Sequence, residues 1–284
     1  MKTCLDCIPC FFEQALRAGR IATDDDRLLK KLLDEIGAML KDISLENTPP
    51  ETGRLIYRLV SEITGNPDPF RDIKRECTQQ ALALYPSMKD TVEKSEDKLL
   101  TAIRIAIAGN VIDFGASASF DIHETLKEVI DTDFAVCDYA AFKSRLATAG
   151  SVLYIGDNSG ETVFDRLLIE QMDKPVDYVV RERPVINDAT REDAIQAGID
   201  KVATIVSSGT DAPGAILNTC NFEFNRMLAE SKFTIAKGQG NFEALSNEHY
   251  PIFFLLKAKC RILAEDLNVP QGSMLLKAVN VASM

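Results

Sequence analysis

The sequence predicts an α/β protein: an all-helical N-terminal subdomain over residues 1–148, then a Rossmann-like α/β/α parallel sheet over 149–284, forming one compact unit with a shared cleft. Two changes of texture carry this. Up to about residue 148 apolar residues recur at helical spacing. From Ser151 short β-branched runs alternate with polar helical segments. With 284 residues, 46% hydrophobic and 26% charged, the chain has ordinary globular composition and can bury a core without disulfides.

Element by element, Leu28, Leu29, Leu32, Leu33, Ile36, Leu40 and Ile43 line one helical face behind the acidic opening Thr23 to Asp26. A helix from Pro50 to Thr64 stops at Gly65, and NPDPF supplies a turn before a helix around Ile73 to Leu84. Further helices are expected over Asp97–Ala108, Ile122–Ile130 and Ala140–Leu146. The strands are SVLYIGD, VDYVVRE, VATIVSS, FTIAKG and YPIFFLLK, and their alternation with helices predicts a parallel sheet. Ligands of such sheets bind at the carboxyl ends of the strands.

A net charge of −11 repels nucleic acid and anionic lipid headgroups, so neither is expected as a partner, and any anionic ligand needs a local device to hold it. No run of 18 uncharged apolar residues occurs, and the opening MKTCLDCIPCFF is broken by acid and cysteine, which predicts a cytosolic protein without a membrane span. Seven cysteines, an odd number, suit a reducing compartment.

The strand ends hold the chemistry. The first runs into Gly156, Asp157, Asn158, Ser159, Gly160 and Glu161; the second is followed by RPVINDAT with Asn187 and Asp188. Asp157, Asn158 and Asp188 offer hard oxygen ligands to one divalent cation such as Mg²⁺ or Mn²⁺, although each could instead cap the helix that follows. In SSGTDAPG, Ser208 and Gly209 suit a phosphate, or form an ordinary loop with Pro213 at a helix start. In KGQGNFE, Lys237 can neutralise a phosphate, Gly240 bares its amide, and Asn241 and Glu243 face the cleft. Lys257 and Lys259, two apart, point the same way. Phosphate monoesters hydrolyse so slowly that enzymes accelerate them by on the order of 10²¹-fold. Hydrogen bonds at about 1 to 3 kcal/mol each do not suffice for that, so a metal is needed.

Cys4, Cys7 and Cys10 have metal-ligand spacing, but no fourth cysteine follows nearby; either a second metal or redox group sits there, or the thiols pack a helix start. Cys137, Cys220 and Cys260 are expected in the core. His123 and His249 are isolated, which argues against a histidine triad.

The ordered series CLDCIPC, TGNPDPF, AGNVIDFG, DNSGE, RPVINDAT, SSGTDAPG and KGQGNFE resembles the damage-control phosphatase family, known as domain of unknown function 89, and its subfamily with N-terminal cysteines. The resemblance spans nearly the whole chain. It implies a helical part followed by an α/β part, and one divalent cation (Mn²⁺, Co²⁺, Ni²⁺ or Mg²⁺) on the positions matching Asp157, Asn158 and Asp188. It also implies substrate contacts around KGQGNFE and a lysine matched by Lys259, with sugar phosphates or damaged phosphometabolites as substrates. Around these, Asn110 and Asp113 of AGNVIDFG either reach the cleft from the helical part or form a helix C-terminus followed by a turn, and with Arg183 and Asn187 of the loop after the second strand they are candidates for a supporting ring. The expected enzyme is thus a metal-dependent phosphatase acting on a small phosphorylated metabolite, with Lys237 and Lys259 on phosphate and Glu161 or Asp157 orienting water. An aspartyl-phosphate route through Asp157 stays open. The alternatives are an S-adenosylmethionine-dependent methyltransferase, because VLYIGDNSGE resembles that cofactor's strand and turn, and a non-catalytic phosphometabolite-binding protein.

Overall fold

The computed structural model describes residues 1–109 and 132–281. Asn110, Asp113, His123 and the helix expected over 122–130 lie outside the described residues.

The N-terminal part is built from α1 (Cys7–Ala22), α2 (Asp26–Leu40), α3 (Pro49–Thr64), α4 (Arg71–Lys94) and α5 (Lys98–Ala108). Local chemistry sets their ends. Thr48 and Glu51 form a capping box ahead of the prolines that open α3, and Gly65 at φ 70° ends it. The Asp97 carboxylate takes the Leu100 N–H at 3.1 Å to start α5. Phe11, Ala15, Leu32, Ile36, Ile56 and Val60 close a small core among α1, α2 and α3.

A seven-stranded sheet follows in the order β1-β7-β6-β5-β2-β3-β4. Its strands are β1 (Phe134–Cys137), β2 (Val152–Ile155), β3 (Val176–Val180), β4 (Thr204–Ser207), β5 (Thr234–Lys237), β6 (Ile252–Lys257) and β7 (Met274–Val279). Between them run α6 (Tyr139–Thr148), α7 (Thr162–Ile169), α8 (Arg191–Gln196), α9 (Phe222–Glu230), α10 (Gly238–Leu245) and α11 (Arg261–Asp266). β2 to β6 are mutually parallel, while β7 runs antiparallel to β6 and parallel to β1. Two strands thus depart from the expectation. β1 falls inside the stretch read as helical, and β7 closes the chain against the parallel direction; FAVC is too short, and MLLKAV too helix-like in composition, to stand out by periodicity.

Both faces of the sheet are covered, so its central strands read as apolar runs rather than alternating ones. On β2, Val152 and Tyr154 join the core beneath α4, α5 and α7, and Leu153 and Ile155 join the core beneath α9, α10 and α11. The chain leaves β2 toward β3 on one side, while β5 lies on the other, so the loops after β2 and β5 diverge and leave a crevice. Among the described residues no helix is long and apolar enough to cross a membrane.

Candidate active site

A cleft of about 1390 Å³ opens at that crevice. Asp157, Asn158, Glu161 and Asp188 line its floor, Lys257 and Lys259 line another part, and residues of α1, α3 and α4, among them Gln14, Tyr57 and Ile73, complete its wall. The loops bearing the acids are stitched together: the Ser159 N–H donates to the Asn187 carbonyl at 2.8 Å and the Ala189 N–H to the Asp157 carbonyl at 2.7 Å. An isolated antiparallel bridge joins Asn158 and Asp188.

The capping alternative does not describe these residues. α8 is capped by Thr190 in a capping box with Asp193, and the residue before α7 is Glu161, whose side chain makes no cap bond. Asp157 is 8% exposed and Asp188 1%. The Asn158 amide nitrogen donates to Asp157 Oδ2 at 3.1 Å and to Glu161 Oε1, so a positive hydrogen pair lies between two carboxylates, where a cation is also suited.

Gly238 shows how tightly Asp157 is held. Its φ is +80°, and a Cβ there would lie 2.0 Å from Asp157 Oδ2. A Gly238→Ala variant strains the backbone by about 1–2 kcal/mol and pushes the carboxylate aside. Steady-state kinetics is expected to show a loss of about a hundredfold, as for a misplaced catalytic group; wild-type rates would mean that Asp157 is not where the chemistry occurs.

Beneath the acids lies a second, drier layer. The Lys237 ammonium, fully buried, donates to Asp165 Oδ1 at 2.6 Å, to the Ala106 carbonyl at 2.8 Å and to Glu161 Oε2 at 3.1 Å. Asp165 also accepts from the Tyr154 and Tyr178 hydroxyls, each at 2.7 Å. Burial pulls the Lys237 ammonium down, but Asp165 and Glu161 outweigh it and hold its pKa above the ordinary value. Arg181 donates to Asp188 Oδ2 at 2.7 Å and to Asn241 Oδ1 at 3.1 Å.

Several residues expected to touch substrate are placed differently. All three Lys237 donors are committed as above, so this lysine neutralises carboxylates, not phosphate. Asn241 is fully buried and ties the site together, donating to the Gly156 and Lys237 carbonyls and accepting from the Ala215 N–H at 3.0 Å. Ser208 is fully buried, its hydroxyl on the Val180 carbonyl, and Gly209, at φ +77°, packs against Asn221. That loop reaches the cleft through Pro213, which opens no α-helix. Gly240 lines the cleft beside it, where a Cβ would strike the Pro213 carbonyl at 2.0 Å. Glu243, Lys259 and Asn187 line the cleft, whereas Arg183 is exposed outside the lining. Arg181 and Asp165 were missed. Asp165 had a signal, since it lies four residues after Glu161 and so on the same helical face.

The Damage-control phosphatase ARMT1-like domain matches residues 3–275. The chain belongs to the damage-control phosphatase family. It is 33% identical to a damage-control phosphatase of Archaeoglobus fulgidus over 98% of this chain and 100% of that one. It is 34% identical to a damage-control phosphatase of Pyrococcus horikoshii, over 96% of this chain and 97% of that one. The crystal structure of a DUF89 family protein from Pyrococcus horikoshii superposes with a TM-score of 0.90 at 33% identity, covering 98% of this chain and 99% of that one.

In this member of the damage-control phosphatase family Cys7 and Cys10 line the cleft, with Cys4 beside Cys7, without forming a cage. Cys4 and Cys7 sulfurs are 3.6 Å apart, and the exposed Cys10 accepts from Gln14 Nε2 at 3.0 Å. Burial pushes the Cys7 thiol up to about 12. Among the described residues no three His, Cys, Asp or Glu side chains form a group that could hold a metal, these three thiols included. Cys137, on the edge strand β1, is exposed, while Cys220 and Cys260 are half-buried and pack against the core beneath α9, α10 and α11 rather than within it. His249 is exposed.

Electrostatics of the floor give a pH signature. Burial, helped by Asp188, raises the Asp157 carboxyl to about 6 against the opposing pull of Lys259 and Arg181. Burial raises Glu161 to about 7, outweighing Lys237, and raises Glu243 to about 7. Burial also raises Asp188, against the opposing Arg181 charge. Each folded pKa lies above the unfolded value of about 4, so these groups favour the folded state most in acid, and that contribution is lost as pH rises through about 6 to 7. A cation bound to the ionised acids reverses this. If these carboxylates hold Mn²⁺, the ion raises the melting temperature at pH near 8 and much less near 5.5, readings that differential scanning fluorimetry supplies. An Mn²⁺ shift independent of pH would mean that these carboxylates do not hold it.

Proposed function

We propose that this chain is a divalent-cation-dependent phosphatase that hydrolyses the phosphate monoester of a small metabolite, such as a sugar phosphate or a damaged phosphometabolite. The observation that carries the proposal is the meeting of Asp157, Asn158 and Asp188, none of them a helix cap, in one cleft at the β2/β5 crevice. The phosphatase names of the Archaeoglobus and Pyrococcus relatives support it.

The residues fit a hard divalent cation. Among the described residues, the buried carboxylates Asp157, Glu161, Asp165 and Asp188 face only two buried cations, Arg181 and Lys237. Two aspartates alone make no cage, consistent with the count above; the third donor is the Asn158 amide, which presents its oxygen once turned over. When bound, the cation supplies Lewis-acid polarisation of the phosphoryl group.

The chain's own residues do the rest. Lys259, backed by Lys257, offers ammonium charge to the phosphate from the cleft lining. Glu161, held by Asn158 and Lys237 and titrating at about 7, is poised to take a proton from an attacking water near neutral pH. Gly238 and Gly240 let the start of α10 come close to the site.

Phosphate release from a panel of monoesters with Mn²⁺, Co²⁺, Ni²⁺ or Mg²⁺ tests the proposal, with turnover expected and abolished by chelation. Tight binding of a sugar phosphate without release under every metal would instead favour a non-catalytic binding protein. Against a methyltransferase, the turn after β2 is closed by Asp157 packed against Gly238, and the Archaeoglobus and Pyrococcus relatives are named phosphatases.

A further inference from the structure

Phe70 of the NPDPF segment lines the cleft while Asp68 and Lys74 do not, yet the segment faces the loop that carries Asp188 and Lys74 pairs with Asp193 just beyond it. Lys74 lies in the first turn of α4 and is 3% exposed. Its ammonium is 3.3 Å from Asp68 Oδ2, in the turn before α4, and 3.1 Å from Asp193 Oδ2 in α8. A buried ammonium persists only with such partners. The same Asp193 oxygen accepts from the Thr190 N–H at 2.9 Å and the Thr190 hydroxyl at 2.7 Å. One lysine therefore ties the helical layer to the residue two places after Asp188.

The loop itself needs holding. Ile186 has φ +40°, a left-handed conformation that a β-branched residue keeps only where its surroundings impose it. Pro67, Asp68 and Phe70 of the NPDPF turn face Pro184, Val185 and Ile186 across a small cavity. Beyond Ile186, Ala189 donates to the Asp157 carbonyl and accepts from the Arg181 N–H at 2.9 Å, so any shift of the loop moves Asp188 relative to Asp157.

We infer that Lys74, clamped between Asp68 and Asp193, is a positioning residue that locks the 184–190 loop to the helical layer and so sets where Asp188 stands opposite Asp157. The metal readout below rests on the proposed phosphatase reading; the exchange readout does not.

The test uses the full chain as Lys74→Met, Lys74→Arg and, as control, Lys89→Met, whose exposed ion pair with Glu170 lies farther along α4. Calorimetry gives the Mn²⁺ dissociation constant, and hydrogen exchange reports the amides of 185–190. Lys74→Met is expected to weaken Mn²⁺ binding about 10–100-fold, the size of effect seen when a ligand's supporting partner is removed, and to speed exchange in the loop. Lys74→Arg restores most of both, and Lys89→Met changes neither. A Lys74→Met protein with unchanged affinity, or with unchanged loop exchange, overturns the inference. Should that variant fail to fold, Asp68→Asn, which leaves the ammonium its Asp193 partner, is expected to weaken Mn²⁺ several-fold, and no change would overturn the inference equally. Wild-type protein that binds none of Mn²⁺, Co²⁺, Ni²⁺ and Mg²⁺ defeats the divalent-cation reading, and loop exchange then decides the role of Lys74 alone.

Discussion

Replacing Asp157 with alanine is expected to lower kcat/KM for phosphate release by about a thousandfold or more, since a metal's transition-state contribution of several kcal/mol corresponds to at least that factor. The change removes one of the proposed cation ligands and an acceptor of the Asn158 amide together. The fold is expected to hold, because removing a buried acid whose carboxyl burial and Asp188 raise to about 6 relieves repulsion with Asp188. The variant should therefore melt at or above the wild-type temperature in the absence of metal and gain little from Mn²⁺. Full activity in Asp157→Ala would remove the site.

Lys237→Met is expected to have the largest effect on stability. Truncation leaves Glu161 and Asp165 buried without their shared ammonium, and breaking a buried pair from one side costs about 3–5 kcal/mol. In thermal melts that corresponds to a fall of roughly 5–15 °C. The sign with pH follows from the remaining partner. Glu161 titrates at about 7 already and takes up a proton more readily once Lys237 is gone, so the deficit is greatest in alkali and shrinks in acid. Wild-type stability in Lys237→Met would contradict the buried role assigned here and return the lysine to the phosphate pocket.

The sequence showed the two acidic loops and the lysine pair at the end of β6 because each breaks its local pattern. Asp157 and Asn158 end a fully apolar strand, and Lys257 and Lys259 flank the buried Ala258. It did not show which way polar side chains turn once inside. Lys237 and Asn241 occupy a loop that resembles a phosphate cradle, but β5 lies at the centre of the sheet, so their side chains meet the layer beneath instead. Ser208 and Gly209 suffer the reverse: at the end of β4 they lie on the sheet's outer strand, too far along its edge for the crevice between β2 and β5. Arg181 looked like an ordinary charged residue after β3, because its partner Asp188 lies across a loop whose shape depends on tertiary contacts, among them those of the NPDPF turn.

The most direct test of the central claim is anomalous diffraction at the manganese edge from crystals soaked in Mn²⁺. A single strong peak is expected in the cleft, with side-chain oxygens of Asp157, Asn158 and Asp188 each about 2 Å away. A cleft with no peak, or a peak bound by other residues while the protein still releases phosphate, would contradict that claim.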